Sequence, residues 1–341
     1  MRYVVVGAGA VGGTIGGRLA QHGHDVVLVA RGAHAERLAA DGLRMLTPDG
    51  PVHVRPAVAT GPDDVRLTPA DVLVLAVKVQ DTASVLPEWA AAPLAGGPAG
   101  LTAGARLPVV CAQNGLEGDR LAQRWFRHVV GACVYLPATH LEPGTVVAEG
   151  APVSGALLLG RTTAGPREHA ERVAADLSGA GFVARAVDDV GPAQRGKLLS
   201  NTANAVDAVV REQELDGEAA DALREDARAE GAAVFAAAGL PVADQLEALP
   251  ELRGLGFGAA PVAGAERGGS SSWQSLRRGG TVETDWLNGE VVRRGRVLGV
   301  PTPVNEALQV LADAAARSGA GPRTLAVADV RRLVDELARV S

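Results

Sequence analysis

Residues 194–204 read QRGKLLSNTAN and place Lys197, Asn201 and Asn204 at i, i+4 and i+7. On a helix turning about 100° per residue, Asn204 falls about 20° from Lys197, and Asn201 lies about 40° to the other side. One helix face therefore carries an ammonium and two amides. Leu198, Leu199, Thr202, Ala205, Val206 and Val209 form a separate apolar side. A solvated face draws on Glu, Lys and Arg, whereas Asn is a mediocre helix former. The trio suits hydride addition to a carbonyl. The alkoxide formed must take a proton, and a partly desolvated lysine is a suitable acid. Amides can orient the carbonyl or a nicotinamide amide without adding charge. On this reading the stripe faces a nicotinamide across an interdomain cleft.

A second stretch, GGSSSWQSLRRGGTVETDWLNGE, runs from 268 to 290. It predicts a helix after Gly280 in which Glu283 stands three and four residues before Trp286 and Leu287. A carboxylate beside an apolar stripe needs a partner. It can orient Lys197, or it can simply complement a helix N-terminus. Asp285 is expected to face solvent or cap a neighbouring turn. Ser271 either holds a substrate carboxylate or caps a helix.

The elements that must position these groups begin at the N-terminus. RYVVVGAGAVGGTIGGRLAQHGHDVVLVAR reads as strand, glycine turn, helix and second strand. Gly7, Gly9 and Gly12 fit G-x-G-x-x-G: a tight turn, a close approach to a pyrophosphate, and helix–strand packing. With Ala10 and Val11, this turn opens a helix whose free N–H groups suit phosphates. The motif by itself is weak, but here it lies between a strand and a helix, with a second strand at the expected distance. Where an NAD-binding chain has Asp or Glu after that second strand, this one has Ala30 and Arg31. An arginine there suits the 2′-phosphate of NADP(H). Strand runs at 70–78 and 107–115 end in Lys78, Gln113 and Asn114. Ligands gather beyond the carboxyl ends of such strands, so all three are expected at the cofactor crevice. Lys78 also reads as a surface lysine, and Asn114 in QNG as turn chemistry. From 129 to 187, short β runs around one helix are expected to extend this sheet. The Gly/Pro/Ala-rich stretch 93–108 reads as a surface connection.

With 341 residues the chain has room for two domains. Aromatics make up only 3% of it, so the core must be built from Ala, Val and Leu. Net charge is −6 and no long basic run occurs, which argues against nucleic acid or an anionic membrane as a partner. Cys111 and Cys133 sit in apolar runs and read as reduced core thiols. No ligand spacing points to a metal. No signal peptide or membrane span is legible, so a cytoplasmic protein is expected. Alanine-rich helices such as EGAAVFAAAGL allow close packing between subunits, and a homodimer is the oligomeric expectation.

Taken together, GAGAVG, Lys78, QNG at 113–115, GKLLSNTAN at 196–204 and SSWQSLRRGGTVETDWLNG at 271–289 resemble the ketopantoate reductase (2-dehydropantoate 2-reductase) family over nearly the whole chain. The resemblance implies an α/β protein. An N-terminal Rossmann-type doubly wound domain, residues 1–188, would precede an all-helical substrate and dimerisation domain, residues 189–341. It implies NADPH-dependent reduction of a small-molecule 2-oxo acid to a 2-hydroxy acid in pantothenate synthesis. Lys197 would be the general acid and Glu283 its partner. Asn201, Asn204 and Ser271 would bind substrate, with Ser271 on the carboxylate. Asn114 and Lys78 would line the cofactor site, and Arg31 would hold the 2′-phosphate. Three departures bear on the substrate. Asn204 stands three rather than four residues after Asn201, Gly268 replaces an asparagine, and VVREQELDGE lacks one. Another 2-oxo acid or ketone is therefore an alternative substrate. The K-x-x-x-N spacing also fits β-hydroxyacid dehydrogenases, although QNG and TVETDWLNG argue against them. A non-catalytic NADP-binding sensor is a further alternative; the presence of both Lys197 and Glu283 argues against it.

Overall fold

The computed structural model describes residues 1–161, 167–265 and 268–339. The chain forms two compact units. One comprises Met1–Gly191 with Gln245–Arg267, the other Pro192–Asp244 with Gly268–Ser341.

The first unit is built on an eight-stranded sheet. Its strands are β1 (Arg2–Val6), β2 (Asp25–Val29), β3 (Ala57–Ala59), β4 (Asp71–Leu75), β5 (Pro108–Cys111), β6 (His128–Tyr135), β7 (Ala156–Arg161) and β8 (Val183–Val187). Their spatial order is β3-β2-β1-β4-β5-β6-β7-β8. Every neighbouring pair is parallel except β6 and β7. Successive side chains alternate between two cores: Tyr3 and Val5 enter one, Val4 and Val6 the other. Helices cover both faces, as a parallel sheet requires. On the Tyr3 side lie α1 (Ala10–Gln21), α2 (Gly32–Asp41) and α4 (Glu168–Gly179), through Ile15, Leu38 and Leu177. On the Val4 side α3 (Thr82–Ala91) packs Leu86 and Trp89. This is the doubly wound order, with its reversal between β1 and β4. Cys111 and Cys133 are buried thiols of β5 and β6, neither in a disulfide. Burial pushes the Cys111 thiol well up, assisted by Asp119.

Three features depart from the sequence reading. The TVVAEG run does not extend the main sheet. Thr145–Ala148 instead joins Leu43–Thr47, Gly50–Val54 and Ala138–Thr139 in a separate four-stranded sheet. Glycines of α1 make room for it: a Cβ at Gly17 would lie 2.3 Å from Met45 Sδ, and one at Gly13 would lie 2.8 Å from Val146 Cγ1. The 93–108 stretch is more than a surface connection. Leu94, Ala103 and Leu107 are buried, and Leu94 N–H donates to Leu101 O. Residues 245–265 join the first unit although they follow helical sequence. Gly258–Ala259 pairs with Gly150–Ala151, and Arg185 reaches Glu251 at 3.3 Å.

The second unit is helical: α5 (Gly191–Thr202), α6 (Asn204–Val209), α7 (Glu218–Ala237), α8 (Ser271–Arg277), α9 (Asn288–Leu298), α10 (Pro303–Ser318) and α11 (Val327–Ala338). The apolar side expected for 198–209 is buried throughout. The single helix implied there is instead broken at Ala203. Thr202 O accepts from Asn288 Nδ2 at 3.0 Å, while Val206 N–H turns to Ala203 O. A carbonyl that would continue the helix is thus taken by another element. The helix expected after Gly280 also starts later. Glu283–Leu287 form turns, and α9 begins at Asn288. Among the described residues, no helix is long and apolar enough to cross a membrane.

Candidate functional site

In the first unit, the glycine turn joins β1 to α1. Gly7 has φ +102°, and a Cβ there would lie 2.7 Å from Val77 N. A Cβ at Gly12 would lie 2.0 Å from Gly7 O. Neither position tolerates a side chain. Beside Gly9 nothing lies within 4 Å of where a Cβ would stand, so this is the open side of the turn. Ala10 and Val11 are half-buried and begin α1. The first N–H groups of a helix have no partner within it, and no acidic residue stands in the first turn of α1. The turn therefore fits the pyrophosphate of a dinucleotide.

Arg31 is exposed, extended in backbone, and caps α2 just after β2. Its guanidinium bonds no group among the described residues. Lys78 follows β4, and Asn114 follows β5 before Gly115 at φ +82°. Parallel register puts the glycine turn, Arg31, Lys78 and Asn114 at the same carboxyl edge of the sheet. Gln113 also stands there, but its amide is used internally: Nε2 donates to Val77 O and Thr82 Oγ1, each at 2.8 Å. It ties the β4 and β5 ends together, which corrects the expectation that it faces the crevice.

In the second unit, Lys197 is half-buried on α5, one turn before the buried Asn201. The break at Ala203 turns Asn204 toward α8. Asn204 Nδ2 donates to Ser271 Oγ at 3.3 Å and, more weakly, to Asn201 Oδ1 at 3.5 Å. The structure thus joins Asn201, Asn204 and Ser271 in one cluster. The capping role falls to Ser270, whose hydroxyl accepts from Trp273 N–H. Ser271 Oγ is left for other work. Glu283 is half-buried in the turn leading into α9. The first residue of α9, Asn288, docks on the end of α5. Asp285 is exposed and accepts from Gln309 at 2.7 Å.

Several supporting residues were not legible as such. Asp207 Oδ2 accepts from Ser270 N–H at 2.6 Å, and its Oδ1 accepts from Arg323 Nη2 at 2.8 Å. Arg323 also donates to Gly268 O and lies 5.4 Å from the Trp273 ring centre. This clamp fixes the start of α8 against α6. Asn288 Nδ2 donates to Asn305 Oδ1 as well as to Thr202 O. Asn305 Nδ2 in turn donates to Ala227 O and Glu230 Oε2. Burial raises the Glu230 carboxyl, opposed by N–H donors from Val304 and Asn305 and the Asn305 amide. LNG at 287–289 was the one visible hint of this chain. Among the described residues, no three His, Cys, Asp or Glu side chains gather as for a metal.

A doubly wound unit with a dinucleotide turn, and a helical unit carrying a lysine with two amides and a serine, define a two-unit nucleotide-dependent oxidoreductase. Residues 3–163 match the family described as Ketopantoate reductase PanE/ApbA, and residues 189–316 match its C-terminal part. The 2-dehydropantoate 2-reductase of Archaeoglobus fulgidus is 31% identical over 312 residues, 90% of this chain and 95% of that one. That of Halobacterium salinarum is 31% identical over 94% of this chain and 100% of its own. The crystal structure of a PanE/ApbA family ketopantoate reductase from Ralstonia eutropha superposes with TM-score 0.75 at 31% identity, covering 94% of this chain and 100% of that chain. D-mandelate dehydrogenase with NADH and anilino(oxo)acetate shares the fold, with TM-score 0.76 at 21% identity over 94% and 100% of the two chains. The chain belongs to the ketopantoate reductase PanE/ApbA family. It is an oxidoreductase, and the family implies a nicotinamide dinucleotide cofactor, which the glycine turn fits.

Proposed function

We propose that this protein reduces 2-dehydropantoate to pantoate with NADPH, as a cytoplasmic homodimer. The observation that carries this reading is the Asn201–Asn204–Ser271 cluster one helical turn from Lys197. The reduced nicotinamide, when bound, supplies the hydride. Lys197 donates a proton to the oxygen as the carbonyl becomes an alcohol, and regains it from water. Glu283 orients the lysine. Asn201 and Asn204 hold the substrate's oxygens, and Ser271 donates its hydroxyl to the carboxylate. Arg31 meets the 2′-phosphate as a charge-assisted partner, and Lys78 and Asn114 line the dinucleotide.

A second reading, another 2-oxo acid, has a specific observation in its favour. A Cβ at Gly268 would lie 1.9 Å from the Trp273 ring. The indole occupies the space of any side chain at 268, so that wall offers no amide to a substrate hydroxyl. Initial rates of NADPH oxidation with 2-dehydropantoate, beside a panel of 2-oxo acids lacking the hydroxyl, separate the two. Efficient turnover of 2-dehydropantoate supports the first reading. Turnover confined to the panel replaces it with the second, and turnover of none removes both.

A further inference from the structure

His34 lies in the first turn of α2 and is half-buried; it bonds the glycine turn at Ala8. Its Nδ1 accepts from Gly144 N–H at 2.9 Å. The proton must then sit on Nε2, which donates to Ala8 O at 2.8 Å. The ring packs against His140, with centres 4.3 Å apart. Burial lowers its pKa, partly opposed by the Ala8 bond, which favours this neutral tautomer. Ala8 is the middle residue of Gly7-Ala8-Gly9, and its own N–H donates to Val29 O at 3.0 Å.

The consequence follows from peptide planarity. In a trans peptide the C=O of one residue and the N–H of the next point in opposite directions. Holding Ala8 O toward His34 therefore turns the Gly9 N–H away from it. Gly9 is also the residue of the turn with open space beside it. We infer that His34 is a positioning residue for cofactor binding: it locks the Ala8–Gly9 peptide so that the Gly9 amide is preset to donate to the pyrophosphate. This rests on the dinucleotide reading of the turn. A loose peptide must be ordered on binding, and a preset donor avoids that cost.

The test compares binding of NADPH, NADH and 2′-AMP to the full-length wild type and to His34→Ala, His34→Phe and His34→Gln by titration calorimetry. Gln carries an amide NH2 that can donate to Ala8 O in place of the ring Nε2; Ala and Phe have no donor. For Ala and Phe, Kd for both dinucleotides should rise about three- to tenfold, the weight of one neutral hydrogen bond. Kd for 2′-AMP, which has no pyrophosphate, should stay unchanged. Gln should restore most of the dinucleotide affinity. Dinucleotide Kd values within twofold of wild type in Ala and Phe overturn the inference. So does an equal loss for 2′-AMP, which marks general damage, or a Gln variant as weak as Ala. If Ala and Phe fail to fold, Gln alone decides: wild-type affinity supports the inference, and a loss equal for all three ligands overturns it. A wild type that binds neither dinucleotide removes the underlying reading as well, and is told apart by that control.

Discussion

Asn288→Ala tests whether the buried amide chain holds the break between α5 and α6. Asn288 is 0% exposed and donates to Thr202 O and Asn305 Oδ1, both at 3.0 Å. Truncation leaves two buried oxygens without a donor, each costing about 1–3 kcal/mol. The variant also removes Asn288 Oδ1, which is itself buried without a partner, and this returns part of the loss. A net destabilisation of about 2–4 kcal/mol results, or several degrees in Tm. Asn288→Asp is nearly isosteric but sets a carboxylate against two acceptor oxygens, so it should be worse than Ala. Calorimetry on both variants measures the ranking. Initial rates well below the transition should show reduced kcat/KM, because Asn201 and Asn204 lie on either side of the break. An Asp variant as stable as wild type, or milder than Ala, would refute the reasoning.

Lys197→Ala should lower kcat about a hundred- to ten-thousandfold, the usual weight of a general acid, with NADPH affinity nearly intact; unchanged turnover removes the lysine from the mechanism. Arg31→Ala should weaken NADPH about ten- to a hundredfold and NADH little; equal effects in titration exclude the 2′-phosphate role. Glu290 is buried, which raises its carboxyl, but hydrogen bonds and charge from Arg293 and Arg294 outweigh this and leave it below 4.5. A carboxyl depressed in the folded state contributes stability above its unfolded value, and loses it as pH falls through the folded one. Glu290→Gln should therefore lower Tm at neutral pH and flatten its decline below about pH 4.5. An unchanged acid slope counts against the pairing.

Groups set by their near neighbours in the chain could be read before the fold was known. The positive φ of Gly7 and the crowding at Gly12 follow from the sterics of one tight turn, so G-x-G-x-x-G announced them. Lys197 and Asn201 lie one turn apart because helical periodicity is local. The β-forming run Tyr3–Val6 before the glycine turn marked a strand, whereas the sorting of Tyr3 and Val5 into one core and Val4 and Val6 into the other came only with the helices on both faces. Groups set by distant partners could not be read in this way. The helix ends at Thr202 because Asn288, 86 residues later, takes its carbonyl. That break brings Asn204 to Ser271. Gln113, which closes on Val77 and Thr82, had the same sequence signature as a ligand-facing residue. His34 reaches Gly144, 110 residues away, and residues 245–265 return to the first unit, where Gly258–Ala259 pairs with Gly150–Ala151. Propensity and periodicity act over a few residues. A hydrogen bond across the fold depends on which carbonyl and which amide meet once everything else has packed.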